Sequence, residues 1–407
     1  MVTEGNDGME SGKAGRMPGI GGIQDERYEF HLTEEQEQRV ARLHEENINI
    51  DLLFQGPLSP KAIPDEIAGR LLELCEPYKD DPMAYSHMPA KLLLKMAARG
   101  ELPQYKEEWY RSGITAGNRE LHLNDMETVL ESMGQVQLQF DAAADWLVKA
   151  RTAEDIRAAK RSGRKAGIVS AQETDGLGRN LGLLEALHDF GLRVLQLTYN
   201  NQNLIGSGCA EAANGGLSGY GVRFVERLNQ LGIVVDTGHC GKQTTLDACR
   251  VSAAPVIASH TGVERLYPHM RCKSDEEIMA VAGTGGVVGI FAMPWFVHGD
   301  PDNTTLDHVL DHIDYVVRLA GVDHVGIGTD WPMSDVEWSL VYFKEHIAPR
   351  LGFAKGDGPS TETVKGLETY GRFGNFTRGL VARGYSDGDI AKIMGGNWLR
   401  VFEQVWG

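Results

Sequence analysis

Residues 166–201 read AGIVSAQETDGLGRNLGLLEALHDFGLRVLQLTYNN. Two apolar, β-branched runs, 166–172 and 192–198, flank LGLLEALHDFG (181–191), whose leucines recur at helical spacing. A buried run, an amphipathic helix and a second buried run spell a parallel pair of strands joined by a right-handed crossover. Each run also ends in a polar residue, Glu173 after the first and Tyr199 after the second.

The same unit recurs on both sides. Downstream lie GIVVDTG (232–238), PVIAS (255–259), GVVGIFAM (286–293) and DHVGIGT (323–329), with helical stretches such as GYGVRFVERLNQLG (219–232) and LDHVLDHIDYVVRLAG (306–321) between them. Upstream, VQLQF (136–140) and INIDLLF (48–54) complete eight strand candidates. Near-continuous apolar strands fit a sheet buried on both faces. Eight alternating units predict an α/β fold closed as a (β/α)8 TIM-type barrel, with an open doubly wound sheet as the alternative. Residues 58–133 read as a long helical insertion after strand one, as in PDEIAGRLLELCEPY (64–78) and AKLLLKMAARG (90–100). LTEEQEQRVARLHEE (32–46) reads as a helix capped by Thr33. Extra C-terminal helices follow the last strand: SLVYFKEHI (339–347), FTRGLVARG (376–384) and SDGDIAKIMGGNWLRVFEQVW (386–406), the last capped by Ser386 with Asp389. Residues 1–30, Gly-rich and polar, are expected to be a disordered tail, and 31–407 one barrel domain.

The chain has 407 residues, with 40 Lys+Arg against 57 Asp+Glu, a formal charge of −17. That excess of anionic groups excludes nucleic acid and an anionic membrane as principal partners. Five cysteines (75, 209, 240, 249, 272) share no CxxC spacing, so a reducing, cytoplasmic compartment without a disulfide framework is expected. No apolar run reaches the ~18 residues of a membrane span. The N-terminus lacks the apolar stretch of a signal peptide.

The polar residues cluster in one topological place. Glu173, Tyr199, His239, His260 and Asp330 each follow a strand candidate. In a parallel barrel every carboxyl-terminal strand end faces the same mouth, so residues far apart in sequence converge there. Alone, a strand-end His is more often a hydrogen-bonding residue, an Asp or Glu a helix cap, and a Tyr a packing residue. Five at five strand ends point to chemistry instead. Two imidazoles and two carboxylates suit Zn²⁺, Mn²⁺ or Co²⁺, which would bring the pKa of bound water from 15.7 toward ~7. His308 and His312, i and i+4 on a helix away from the strand ends, read as structural.

With those residues in place, ALHDFGLRVLQLTYNNQN (186–203), GLSGYGVRFVERLNQLGIVVDTGHC (216–240), PVIASHTGVERLYPHMR (255–271), GVDHVGIGTD (321–330) and GGNWLRVF (395–402) together resemble the renal (membrane) dipeptidase family of metallopeptidases. The resemblance runs from about Leu43 to Phe402 and is densest from Gly167 to Asp330. It implies a (β/α)8 barrel with a two-zinc site that hydrolyses dipeptides, some with a D-residue at the C-terminal side. Carried over residue by residue, Glu173 matches the carboxylate bridging the two metals, and His239 and His260 the histidines of the second. Asp330 matches the acid that holds the water or the substrate amine. Arg271 matches the arginine that grips the substrate carboxylate, for which a bidentate charge-assisted pair is the physical reason.

Two departures stand out. The family's His-x-Asp pair after strand one aligns with Leu53-Phe54-Gln55; Leu53 cannot ligate and Gln55 is a weak neutral donor. A register shifted by two would offer Asp51 as a ligand instead. Tyr199 stands where the family has a histidine that steadies the oxyanion, a role its hydroxyl could fill as a neutral donor. The expectation is therefore one firm zinc on Glu173, His239 and His260, with Mn or Co as substitutes and the second site doubtful. Water activated there, with Asp330 as base and Tyr199 steadying the oxyanion, would cleave a dipeptide or another carboxylate-bearing amide. Alternatives are a one-metal barrel enzyme acting on a non-peptide amide, a lactam or a decarboxylation, and a non-catalytic relative. A homodimer is the default assembly.

Overall fold

The computed structural model describes residues 28–54, 65–78, 82–330 and 363–406. Ten strands are placed: β1 Ile50–Asp51, β2 Ala116–Leu121, β3 Leu147–Lys149, β4 Lys165–Ala171, β5 Leu192–Gln196, β6 Val234–Asp236, β7 Val256–Val263, β8 Cys272–Lys273, β9 Val288–Ile290 and β10 Val325–Ile327. Eight of them run β2-β1-β10-β9-β7-β6-β5-β4, and β4 pairs with β2 to close the ring. Every pairing is parallel, as in Ala116↔Ala166 and Asp51↔Ile327. This is the (β/α)8 barrel expected from the alternating pattern. β3 adds to β4 outside the ring and β8 to β7.

One strand assignment is corrected. VQLQF (136–140) lies inside the helix Met126–Ala142, which Asp125 caps by accepting from the Thr128 N–H. Alternation would bury Val136, Leu138 and Phe140 together. The structure buries Val136 and Phe140, four apart, and leaves Leu138 exposed, the signature of a helix face. The second barrel strand is instead AGNREL, β2, which lies within the stretch read as insertion. The helical insertion after β1 is correspondingly shorter: Asp65–Cys75, Pro82–Ala98 and Gln104–Ser112. INIDLLF contributes only Ile50–Asp51 to the ladder.

The caps read from sequence form. Thr33 accepts from Gln36 N–H in a reciprocal box, and Ser386 from Asp389 N–H. The chain is packed already at Tyr28, whose hydroxyl donates to Asp307 (2.9 Å). The expected tail up to residue 27 and the helix expected at 339–347 lie outside the described residues. All five thiols are free, and among the described residues no helix is long and apolar enough to cross a membrane.

Two cores support the site. The larger lies between the ring and its helices. The smaller gathers residues from the early part of several strands, including Ile50, Ala116, Ile168, Val194, Val234 and Ile257, with Trp398 and Phe402 from the helix Asn397–Trp406. That helix is pinned by Trp398 Nε1 donating to Ile327 O (3.1 Å) and by Asn397 Nδ2 donating to Val325 O (2.8 Å). GGNWLRVF therefore anchors the end opposite the mouth, leaving the carboxyl-terminal strand ends for chemistry.

His312 is structural, as expected. Its Nδ1 accepts from Val263 N–H (2.8 Å), and its Nε2–H donates to Val297 O (3.0 Å). Burial lowers its pKa from 6.5 to about 4. The unfolded ring takes up a proton first as pH falls, so its contribution is complete above pH 6.5 and is lost on descent toward 4, about 3 kcal/mol across the window. In urea titrations from pH 6.5 to 4, His312→Gln should lose less stability than the parent chain by up to about that amount. Equal slopes would remove His312 as a source of acid lability.

Candidate metal centre

His239 and His260 meet at the barrel mouth. Their Nε2 atoms are 2.8 Å apart, and both rings are buried. The surrounding hydrogen bonds fix the tautomers. His239 Nδ1 lies 2.7 Å from Asn200 Oδ1, an acceptor that also takes the Cys209 thiol, so the proton sits on Nδ1. His260 Nδ1 lies 2.8 Å from Ser259 Oγ, whose own proton goes to Asp236 Oδ2 at 2.5 Å. Ser259 must therefore accept, and His260 also carries its proton on Nδ1. Both Nε2 lone pairs consequently point into the same small space. Burial, then the Arg271 charge, holds both rings well below the usual imidazole pKa, so both are neutral.

Backbone geometry holds this arrangement. The β7–β9 register shifts between Ala258 and Thr261, which places His260 at an irregularity in the ladder. Such irregularities re-aim side chains. Gly289 and Gly328 admit it, because a Cβ on either would lie 2.0 Å from Ser259 O. Asp236 secures the turn by accepting from Gly238 N–H (3.0 Å) and Ser259 N–H (2.8 Å). Gln196 Oε1 accepts from His239 N–H (3.0 Å) while its Nε2 donates to Gln172 O (2.7 Å), tying three strand ends together.

Glu173 stands in a second group. Ligand atoms of Glu120, His122 and Glu173 all lie within 4.8 Å of one another. Glu173 Oε1 accepts from Leu123 N–H (3.0 Å) and is 3.7 Å from His122 Nδ1. Glu120 Oε1 accepts from Gln172 Nε2 (2.7 Å). Burial, with the Glu173 carboxylate beside it, pushes the Glu120 carboxyl up to about 7. Sequence reasoning missed Glu120 and His122 because β2 was not recognised. The available signal was alternation: Asn118, Glu120 and His122 share one face of a strand.

Tyr199 joins the groups. Its ring stacks on His239 with centroids 4.1 Å apart. Its hydroxyl pKa is raised by burial and by the Asp330 carboxylate, and it also feels Arg271, Glu120 and Glu173. Asp330 is one of two non-glycine residues among those described with positive φ, at 58°. Its N–H donates to Leu53 O (3.0 Å). Holding an Asp in the left-handed region costs energy and is frequent at functional sites. Arg271 is buried, and its guanidinium donates to Gly238 O (2.6 Å) and His260 O (3.4 Å), bracing the backbone that carries both imidazoles.

The shifted-register expectation for Asp51 is corrected. Its Oδ1 accepts from Leu53 N–H (3.2 Å) and Thr329 N–H (2.8 Å), and its Oδ2 from Thr329 Oγ1 (2.5 Å). Asp51 is a buried clasp between β1 and β10. Gln55 lies outside the described residues.

The donor sets fit divalent cations. Two neutral imidazoles whose lone pairs face each other, beside converging carboxylates, are completed by positive charge. The family model described as membrane dipeptidase, peptidase family M19, matches residues 103–339 and 351–406. Similar proteins include dipeptidase tcpJ of Claviceps purpurea, 29% identical over 70% of this chain and 61% of its own length. Dipeptidase verJ of Clonostachys rogersoniana is 27% identical over 69% of this chain and 66% of its own. The chain thus spans less than two thirds of the length of these relatives. Among solved structures, an amidohydrolase from Pseudomonas aeruginosa superposes with TM-score 0.70 and 26% identity, over 90% of this chain and 99% of that one. A metallo peptidase from Rhodobacter sphaeroides, liganded with a phosphinate mimic of L-Ala-D-Ala, shares the fold at TM-score 0.62 and 20% identity, over 73% and 88%.

Ser259→Ala removes the acceptor that keeps the His260 proton on Nδ1. Zinc affinity, measured by competition with a chromophoric chelator, should fall about 10–100-fold. Stability should fall about 1–3 kcal/mol, because Asp236 loses a buried partner. Undiminished affinity would mean that Ser259 does not set the tautomer.

Proposed function

The chain belongs to the membrane dipeptidase family, peptidase family M19, and on that premise we propose that it is a metal-dependent hydrolase of small amides ending in a carboxylate, dipeptides first. The observation that carries this reading is the pair of neutral, buried imidazoles with facing lone pairs. In this reading Glu173, His239 and His260 hold zinc, with manganese or cobalt as substitutes. A divalent ion supplies two things when bound: it lowers the pKa of nearby water toward ~7 and it polarises a carbonyl.

The remaining roles belong to the chain's own groups. Asp330 takes the proton of the attacking water on a carboxylate oxygen and returns it to the leaving amine. Its backbone, fixed by the bond to Leu53 O, keeps that carboxylate in place. The Tyr199 hydroxyl, with its pKa raised, stays protonated and donates to the oxygen that gains charge. Arg271 contributes the positive charge that draws the substrate carboxylate. A second reading, hydrolysis of a non-peptide amide, is favoured by Tyr199, an aromatic residue 42% exposed at the end of a strand.

A panel of dipeptides, with and without a C-terminal D-residue, and of N-acyl amino acids tests both readings. At least one dipeptide should be cleaved, with activity lost on chelation and restored by zinc, manganese or cobalt. Asp330→Asn should lower kcat by about 10²–10⁴ with little change in KM, and His239→Ala should abolish turnover. Cleavage confined to acyl amino acids would favour the second reading. Hydrolysis that survives both chelation and His239→Ala would overturn both.

A further inference from the structure

Strand β1 is followed by Leu53 and Phe54, both buried and apolar, so neither supplies a ligand at the mouth. Its neighbour β2 ends differently. Glu120 and His122, two apart, point to the same side. Their ligand atoms converge with that of Glu173, which follows the adjoining strand β4, within 4.8 Å. Ser170 on β4 aligns with Glu120 in the ladder, so the two strand ends are held in register.

The floor beside this trio is polar and unfilled by protein partners. Asn118, 1% exposed, lies on the same face as Glu120 and His122, and both its amide oxygen and nitrogen lack a hydrogen-bond partner. Ser170 Oγ and Gln172 Oε1, from residues each 5% exposed, are likewise without one. Buried polar atoms left open in this way are commonly satisfied by ordered water or an ion. Two carboxylates drawn together in a low-dielectric site repel unless a cation stands between them. Glu, His and Glu, with room left for water, is a donor set suited to a divalent transition metal.

We propose that Glu120, His122 and Glu173 form a second cation site, with ligands from β2 and the end of β4, sharing Glu173 with the one on His239 and His260. It deepens the proposed function, since it rests on the same barrel mouth, but it is read from its own three residues. In this arrangement the ligands that β1 does not supply come from the next strand of the ring. Asn118, Ser170 and Gln172 would hold the water that completes the ion's shell.

Chelated, folded full-length protein titrated with Zn(II), with bound metal counted by mass spectrometry, gives the test. The chain should bind two equivalents, falling to one in each of Glu120→Gln, His122→Ala and His239→Ala. Loaded with Mn(II), the parent chain should show the electron paramagnetic resonance of a spin-coupled pair, and Glu120→Gln that of an isolated ion. Glu120→Gln preserves shape, so it remains informative should His122→Ala fold poorly. Unchanged stoichiometry in both β2 variants would overturn the site. Two ions on a chain that cleaves nothing in the panel would support this site and defeat only the hydrolase reading. One ion on an active chain, unaffected by either β2 variant, would defeat this site and leave the hydrolase reading standing.

Discussion

Two imidazole nitrogens, both without a proton, face each other across 2.8 Å at the mouth of the barrel. A buried pair of lone pairs at that distance is unfavourable unless positive charge lies between them or beside them. Much of the surrounding structure enforces the approach. Asp236 holds Ser259, Ser259 holds the His260 ring, and Asn200 holds the His239 ring. Burial, with the Arg271 and Lys273 charges nearby, keeps the rings unprotonated. Glycines at 289 and 328 let neighbouring strands come close enough for the β7 irregularity to exist at all.

The barrel uses one clasp twice. At β1, Asp51 accepts from the N–H two residues on and from both the N–H and hydroxyl of Thr329, just after β10. At β6, Asp236 does the same with Gly238 and with Ser259 on β7. Burial raises both carboxyls, Asp51 to about 6. Such a clasp fixes where the following residue sits: His260 after Ser259 in one case and Asp330 after Thr329 in the other. The clasp carboxylates, with their oxygens committed to the neighbouring strand, thus differ in task from Glu120 and Glu173, which turn toward a shared centre.

Strand two shows where reading a sequence meets its limit. AGNREL carries no β-branched residue and alternates polar with polar, because its inner face meets the site and its outer face carries Arg119. That guanidinium packs 4.1 Å above the Trp109 ring and is buried there. Hydrophobic patterning detects strands that are buried among apolar neighbours, so a strand whose buried face is functional escapes it. VQLQF misled for the converse reason, since over five residues an i, i+4 helix face and an alternating strand share two of their apolar positions.

The alternation of strand and helix, seven of the eight ring strands, the caps at Thr33 and Ser386, and the polar residues after five strands were all present in the linear pattern. Apolar period, capping chemistry and turn position are local properties that neighbouring residues settle among themselves. The tertiary structure alone decided that His239 and His260 touch, that Glu173 keeps company with Glu120 and His122, and that Asp51 is a clasp. Those outcomes depend on strand register, on backbone irregularities that glycine permits, and on which buried oxygen finds which donor. Such quantities arise only when segments far apart along the chain are brought side by side.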